Sequence, residues 1–225
     1  MADAVALSCN GYFIRLVQQL PKAELQKELR KWGFNTVVKF PQFAYWDQTI
    51  FSAKGDVEGM EVDYLLSAIG QGSCQITPIG MHLCTNVLLN NGNLQEPCLI
   101  SAKSNRQGEQ LENQLGENSY YVCSKEIANK VVKMMEGTIS YGTGREFYLE
   151  GFAAKTGTAQ VGDSTGNPTG KHIVWTTGGL RNEQTPFSIT VCLDNVGEGI
   201  HGSEAGKIAK RILQYILNEQ KQEKR

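Results

Sequence analysis

Apolar residues recur with a helical period in the first third of the chain. The period runs through residues 16–20 and resumes through residues 25–32, with Pro21 between the two segments and Gly33 after the second. Proline interrupts a helix, and glycine commonly follows the last helical turn. The pattern therefore predicts two consecutive helices that end near Gly33. Residues 35–63 have no sustained period, which predicts a loop with short extended pieces.

Three further helices are predicted from their start signals. Thr77 precedes Pro78, a residue favoured at the first helical position, and the apolar pattern then continues to about Leu89. Ser124 and Ser203 precede the other two segments as candidate N-caps. The positions expected to share one apolar face are Ile127, Val131, Met134 and Met135 in the first of these two segments, and Ile208, Ile212, Leu213, Ile216 and Leu217 in the second.

The last third of the chain changes to the pattern of β-strands. Apolar and polar residues alternate through residues 187–193, and residues 152–161 and 172–179 are also strand-like. The connections at 162–171 and 180–186 are short, which predicts antiparallel hairpins. Helices, then an antiparallel sheet, then a helix predict an α/β (α+β) fold with the sheet sandwiched by helices.

Composition narrows the class of protein. The 225 residues carry 22 Lys and Arg against 23 Asp and Glu, a net charge of −1. Nucleic-acid binding requires clustered basic residues that neutralise phosphates, so we expect no nucleic-acid partner. A hydrophobic content of 40% with 20% charged residues is typical of a globular protein. No apolar run approaches the roughly 20 residues that span a bilayer, and no signal-peptide pattern is present.

The cysteines and histidines do not suggest a metal site. The six cysteines form no Cys-x-x-Cys pair, and the three histidines lie far apart in the sequence. The even number of cysteines permits disulfides, but small buried free thiols are the favoured interpretation for a chain of this length. We expect neither a metal nor a cofactor.

The sequence Lys155-Thr156-Gly157-Thr158 lies on one of the predicted strands. Glycine lets another backbone approach a strand edge, and the hydroxyl and ammonium groups are donors for a carboxylate. The pattern therefore favours a peptide-anchoring edge. A surface strand with an exposed lysine is the alternative.

A second pattern, Ser8-Cys9-Asn10, is weak alone, because it also fits a cap for the helix that follows. Together with the Lys-Thr-Gly strand it forms two parts of the three-part signature of penicillin-binding proteins and β-lactamases. The two parts lie 147 residues apart, an interval of the size found in penicillin-binding proteins.

Residues 4–219 resemble the C-terminal part of a class B penicillin-binding protein transpeptidase domain. The resemblance rests, in the family's order, on Gly70–Ser73 with Thr77–Met81, on Gly142–Gly144 before Ala153–Gln160, and on His172–Gly179. It implies an N-terminally truncated fold of the penicillin-binding protein and serine β-lactamase type. We expect one partial domain over residues 1–219 and a frayed tail over residues 220–225.

The resemblance assigns roles to individual residues. It implies that Ser8 shuttles a proton toward the leaving amine and that Asn10 hydrogen-bonds the substrate's side-chain amide. It implies that Lys155 provides a positive field around Ser8, and that Thr156 and Thr158 bind the terminal carboxylate of a D-Ala-D-Ala stem peptide or a β-lactam. The backbone N–H of Thr158 would form half of an oxyanion hole.

The family's nucleophile, the serine of Ser-x-x-Lys, has no counterpart in these residues. No serine of the chain is followed by lysine three positions later. Without that pair no acyl-enzyme forms, so we expect a transpeptidase fragment that is inactive alone. A non-catalytic β-lactam-binding, peptide-binding or scaffold protein is one alternative, and a β-lactamase or D,D-carboxypeptidase type of hydrolase is another.

The resemblance also implies partners and a location. The parent protein would bind peptidoglycan stem peptides and β-lactams, tethered to the extracytoplasmic face of a bacterial membrane in a cell-wall synthesis complex. The segment before Ser8 in the family pairs with the strand near residues 187–193. Its loss would expose an unpaired apolar strand edge, so we expect the chain to self-associate.

Overall fold

The computed structural model describes residues 1–34, 37–38, 50–51, 53–55, 64–72, 74–98, 102–113, 119–163, 165–181 and 187–223. Its helices are α1 (Ala2–Ala6), α2 (Asn10–Val17), α3 (Lys22–Lys31), α4 (Tyr64–Ser67), α5 (Pro78–Leu89), α6 (Lys125–Ser140) and α7 (Gly202–Glu223), with a 3₁₀ turn at Arg145–Phe147. Its strands are β1 (Val37–Val38), β2 (Ile50–Phe51), β3 (Ala53–Gly55), β4 (Cys74–Ile76), β5 (Asn93–Gln95), β6 (Ala102–Ser104), β7 (Gln110–Asn113), β8 (Ser119–Tyr121), β9 (Phe152–Gly162), β10 (Pro168–Leu180) and β11 (Phe187–Val196).

The three long strands form the central sheet, in the order β11-β10-β9. Both pairings are antiparallel, with Thr177 opposite Lys155 on β9 and opposite Thr190 on β11. This confirms the two predicted hairpins. The other described strands form four two-stranded pairs, β1-β2, β3-β4, β5-β8 and β6-β7.

Helices cover both faces of the central sheet. On one face Phe152, Ala154 and Leu180 of the sheet pack with Leu213 of α7 and with Phe147 of the 3₁₀ turn. On the other face lies a second cluster, formed by Val132 and Met135 of α6 and Ala153 of β9 with leucines of α5. The predicted sandwich of helices around an antiparallel sheet is therefore confirmed.

Two of the predicted helix starts are confirmed by capping hydrogen bonds. The Gly80 N–H donates to Thr77 Oγ1 at 3.1 Å, and the Ile127 N–H donates to Ser124 Oγ at 3.3 Å. The third prediction is wrong by one residue, because α7 begins at Gly202 and contains Ser203.

The predicted apolar faces of α6 and α7 are partly wrong. Ile127 is 52% exposed, and the buried hydrophobic side chains of α6 are Ala128, Val132, Met135 and Ile139. Ile208 and Ile212 of α7 are also exposed, whereas Ala205, Ala209 and Leu213 are buried. The buried stripes include small residues, because a helix that packs closely on a sheet has little room for large side chains at its centre.

The helix α1 is fixed to the C-terminal end of α6. The Tyr141 hydroxyl donates to Asp3 Oδ1 at 2.9 Å, and the Thr143 N–H donates to the Ala6 carbonyl at 3.0 Å. A Cβ added to Gly142 would lie 2.1 Å from the Ala6 carbonyl oxygen, so only glycine permits this approach. These contacts determine where the chain after α1, with Ser8, lies relative to the sheet.

The remaining sequence expectations concern the tail, the cysteines and the membrane. The tail predicted to fray over residues 220–225 is helical up to Glu223. Cys9 is exposed and the other five cysteines are half-buried, whereas small buried thiols were expected. Of the helices in the described ranges, none combines the length and the apolar character needed to cross a bilayer. Most of residues 35–63, predicted as loop, lie outside the described residues.

Candidate active site around Lys155

Lys155 is the fourth residue of β9 and is half-buried. Its Nζ donates to Ser8 Oγ at 2.9 Å and to the Thr156 carbonyl at 2.8 Å. No ion pair joins Lys155 to a carboxylate among the described residues, and burial lowers the pKa of the lysine from 10.5 to about 8. A substantial fraction of this amine is therefore neutral in mildly alkaline solution, where it can accept a proton.

Ser8 lies in the turn between α1 and α2, in an unusual backbone conformation. Its φ of 54° falls in the left-handed region, which non-glycine residues rarely adopt. The turn is closed by hydrogen bonds from the Ser8 N–H to the Val5 carbonyl and from the Cys9 N–H to the Ala4 carbonyl. Left-handed non-glycine residues concentrate at functional sites, and here the conformation accompanies contact between the hydroxyl and Lys155.

The alternative interpretation of Ser8 as a helix cap is wrong. The N-cap of α2 is Cys9, and no side chain makes a capping hydrogen bond there. Asn10, the first residue of α2, is exposed. No hydrogen bond within the described part of the chain joins it to Ser8 or Lys155, so the structure brings Ser8 and Lys155 together and leaves Asn10 beside them.

The strand β9 is the outer strand of the sheet, and its free edge is accessible along the motif. Lys155 Nζ donates to the Thr156 carbonyl, and Gln71 Nε2 donates to the Thr158 carbonyl at 3.5 Å. Both carbonyls therefore point away from β10. The N–H and C=O of one residue point to the same side of an extended strand, so the Thr158 N–H also faces this free edge.

The packing of the folded chain does not require a glycine at position 157, and the missing side chain leaves space beside this edge. It lies opposite Trp175 of β10, and an added Cβ would be 3.6 Å from the Trp175 Cβ, an ordinary contact. An alanine would therefore fit within the folded chain. The missing side chain matters chiefly for whatever approaches the edge from outside.

The two threonines of the motif are held by residues from outside β9. Thr156 Oγ1 and Thr143 Oγ1 are 2.6 Å apart, and the Gly202 N–H donates to Thr158 Oγ1 at 3.3 Å. The buried Thr176 hydroxyl donates to the Gly202 carbonyl at 2.8 Å. The start of α7 is therefore tied to the outer strand β9 and to the central strand β10, and Thr158 remains exposed with its hydroxyl hydrogen available to an acceptor.

A row of hydroxyl groups continues from Lys155 across the same face of the sheet. Thr177 is opposite Lys155, and its Oγ1 lies 2.7 Å from Thr190 Oγ1 and 2.6 Å from Thr85 Oγ1 of α5. His82 of α5 contacts Thr190 Oγ1 at 3.3 Å through Nδ1. Burial lowers the pKa of His82, so the neutral imidazole is favoured.

The sequence singled out part of this site. Thr143, Gln71 and Gly202 contact the motif but were not chosen as site residues. Gln71 and Thr143 did stand within the family-like segments, which was a usable signal. No signal in the sequence pointed to Gly202, because the role of this residue depends on how α7 docks against β9 and β10. In the described ranges no three His, Cys, Asp or Glu side chains are grouped as metal ligands.

Comparison with known proteins identifies the family. The sequence model of the penicillin binding protein transpeptidase domain matches residues 1–216. The chain belongs to this family. The recognition made from the sequence is confirmed, while the predicted domain boundary at residue 219 stays a prediction.

Curated relatives in the family are longer than this chain. Peptidoglycan D,D-transpeptidase MrdA of Haemophilus influenzae is 26% identical over 246 residues, which cover 96% of this chain and 36% of MrdA. Stage V sporulation protein D of Bacillus subtilis is 25% identical over 230 residues, covering 96% of this chain and 34% of that protein. The chain thus spans about a third of the length of these relatives.

Solved structures show the same fold. Penicillin binding protein 3 of Mycobacterium tuberculosis, complexed with aztreonam, superposes with a TM-score of 0.80 at 19% identity, covering 97% of this chain and 51% of that one. The D,D-transpeptidase domain of a peptidoglycan glycosyltransferase from Eggerthella lenta gives 0.77 at 22% identity, with 95% and 53% covered. The fold of the penicillin-binding protein type, expected from the resemblance, is confirmed.

Proposed function

We propose that this chain provides the Ser8–Lys155 part of a D,D-transpeptidase site for peptidoglycan cross-linking. The hydrogen bond between Lys155 Nζ and Ser8 Oγ, at 2.9 Å across 147 positions, carries the proposal. It joins the two motifs at a free strand edge. The family membership and the names of the relatives support it.

The parent reaction is an acyl transfer on a D-Ala-D-Ala stem peptide. The peptide lies along the free edge of β9, with its terminal carboxylate near the hydroxyls of Thr156 and Thr158 and the charge of Lys155. The Thr158 N–H stabilises the oxyanion of the tetrahedral intermediate. Ser8, hydrogen-bonded to Lys155, passes a proton to the leaving D-alanine amine. Asn10 hydrogen-bonds the side-chain amide of the stem peptide.

The 225 residues do not complete this reaction alone. No serine is followed by lysine three positions later, so these residues hold no Ser-x-x-Lys nucleophile to accept the acyl group. The chain alone therefore binds β-lactams and stem peptides reversibly. The second candidate function, that of a non-catalytic β-lactam-binding protein, predicts the same reversible binding. The absence of Ser-x-x-Lys from these residues favours it.

The parent protein works at the extracytoplasmic face of the bacterial cell membrane, within a cell-wall synthesis complex. Its substrates, peptidoglycan stem peptides, are found on that side. The β-lactam complexes of Mycobacterium tuberculosis penicillin binding protein 3, with aztreonam and ampicillin, support β-lactams as ligands of this chain.

Two alanine substitutions on β9 test the proposal. Gly157→Ala places a methyl group on the face of β9 that carries Lys155, next to the free edge, whereas Gly162→Ala places one at the far end of the same strand. Each added Cβ makes only ordinary contacts, the nearest at 3.6 Å and 3.5 Å respectively. Both variants should fold, so they form a matched pair.

Fluorescence anisotropy with a fluorescent penicillin measures the binding. We expect saturable binding to the wild-type chain, about tenfold weaker binding to G157A, and unchanged binding to G162A. No label should survive boiling in detergent. A detergent-stable label would refute the missing-nucleophile argument, and equal binding by G157A would refute the assignment of the edge.

The longer gene product separates the two candidate functions. If the parent protein carries an upstream Ser-x-x-Lys, the same penicillin should label it covalently. Reversible binding by the parent would instead favour the non-catalytic binding protein.

A further inference from the structure

A cavity of about 750 Å³ lies at the end of the sheet beyond Lys155. One of its lining residues is Leu180 of β10. Leu180 lies three residues along the strand from Thr177, and Thr177 is opposite Lys155. Three residues of a strand span about 10 Å. The cavity is therefore separate from the edge where Gly157 and Thr158 lie, and its volume suits a small ligand.

Amide side chains dominate the lining of this cavity. They come from the C-terminal half of α5, the turn and strand after it, and one position in α6. The amide residues are Asn86, Asn90, Asn91, Asn93, Gln95 and Asn129. An amide side chain both donates and accepts hydrogen bonds, which matches the hydroxyl and acetamide groups of a sugar.

Two cationic side chains face the same cavity. Lys125 is the first residue of α6, and Arg181 directly follows β10. An Arg181 guanidinium nitrogen donates to Asn129 Oδ1, which fixes the orientation of that group. No Asp or Glu is among the lining residues in the described ranges. The N-terminus of α6 adds a partial positive charge, so the cavity favours an anion.

Two further features suit a ring-shaped ligand. Phe187 and Leu180 are opposite each other on β11 and β10 and supply an apolar part of the lining. Asn93 Oδ1 is buried, and no described group donates a hydrogen bond to it. A sugar ring has an apolar face and hydroxyl donors, and thus meets both requirements.

We propose that this cavity is a binding site for a carboxylate-bearing amino sugar, with Arg181 and Lys125 pairing its carboxylate and the asparagines hydrogen-bonding its hydroxyl and acetamide groups. The site is independent of Lys155, and the proposal goes beyond the transpeptidase function.

The test uses a pair of sugars that differ in the carboxylate. N-acetylmuramic acid carries a carboxylate, and N-acetylglucosamine is the matched sugar without it. Each is titrated into the ¹⁵N-labelled 225-residue chain while the backbone and side-chain amide signals of Asn86 and Asn129 are followed. The same spectra report whether the chain and its variants are folded.

We expect saturable shifts of these amide signals with N-acetylmuramic acid and at least tenfold weaker binding of N-acetylglucosamine. Arg181→Gln should weaken the binding of N-acetylmuramic acid about tenfold. Arg211→Gln, which removes the same charge from the exposed surface of α7, should leave the binding unchanged.

Three results would overturn the proposal. They are the absence of saturable shifts at the asparagines, equal affinity for the two sugars, and equal affinity of the wild-type chain and R181Q. N-acetylglutamate is titrated as well, because it has carboxylates without sugar hydroxyls. If it binds as tightly as N-acetylmuramic acid, the cavity is a general anion site and the assignment to a sugar is wrong.

Discussion

The ammonium group of Lys155 is partly buried without a carboxylate partner among the described residues, and it contacts a hydroxyl and a carbonyl instead. Burial of an unpaired charge is unfavourable, so such groups concentrate at functional sites. The sequence identified the lysine and Ser8 because both belong to motifs. It gave no indication of the left-handed conformation of Ser8, which depends on the way α1 docks against α6.

Lys155 should make the stability of the chain depend on pH. Its pKa is about 8 in the folded chain and 10.5 when unperturbed, so between these values the unfolded chain binds more protons. The free energy of unfolding therefore rises with pH across this window, by about 3 kcal/mol. Lys155→Met removes the effect. Relative to K155M, the wild type should gain stability from pH 8 to pH 10.5.

Urea unfolding of both proteins at several pH values measures this difference. A constant difference between wild type and K155M across the window would show that the pKa of Lys155 is not lowered in the folded chain.

The long helices and the three long strands could be predicted, but two of the helix faces could not. Periodicity located α6 and α7 because both are long and amphipathic. The periodic pattern gave large apolar residues more weight than alanine as candidates for burial, and it therefore assigned Ile127 and Ile212 to the core. Packing decided otherwise, since α7 lies on the sheet through Ala205 and Ala209 with Leu213 below them. The distance between a helix and a sheet is a tertiary property that one segment does not encode.

Adjacent residues of α7 test the corrected face. Leu213 is 1% exposed and Ile212 is 44% exposed. Leu213→Ala should lower the free energy of unfolding by about 2–5 kcal/mol, because it leaves a cavity in the core. Ile212→Ala should change it by about 0.5 kcal/mol or less. Chemical denaturation compares the two variants, and a similar loss for both would mean that the helix is rotated from the position described.

The whole molecule contains a central sheet with two outer strands, β9 and β11. The edge of β9 is the candidate peptide site. The edge of β11 has no partner strand in the described part of the sheet, although Ile189 and Val191 on this strand pack against the core. The alternating pattern and the short connections predicted the three-stranded arrangement, and the motifs assigned the candidate site to one of its strands. The asparagine-lined cavity was not predicted, because its residues come from separate segments with no shared motif.

An unpaired strand edge promotes association between chains. We therefore expect the 225-residue chain to self-associate, as the sequence already predicted. Sedimentation velocity over a range of concentrations should show the average mass rising with concentration. A chain that stays monomeric at high concentration and melts cooperatively would contradict this expectation.

The central claim is that the free edge of β9, between Lys155 and Thr158, binds β-lactams and stem peptides without being acylated in this chain. Titration of the ¹⁵N-labelled chain with ampicillin, followed by intact-mass spectrometry of the same sample, tests it most directly. The account predicts saturable shifts of the Thr156, Gly157 and Thr158 amide signals with an unchanged protein mass. Shifts confined to other parts of the chain, or a mass increased by one ampicillin, would contradict it.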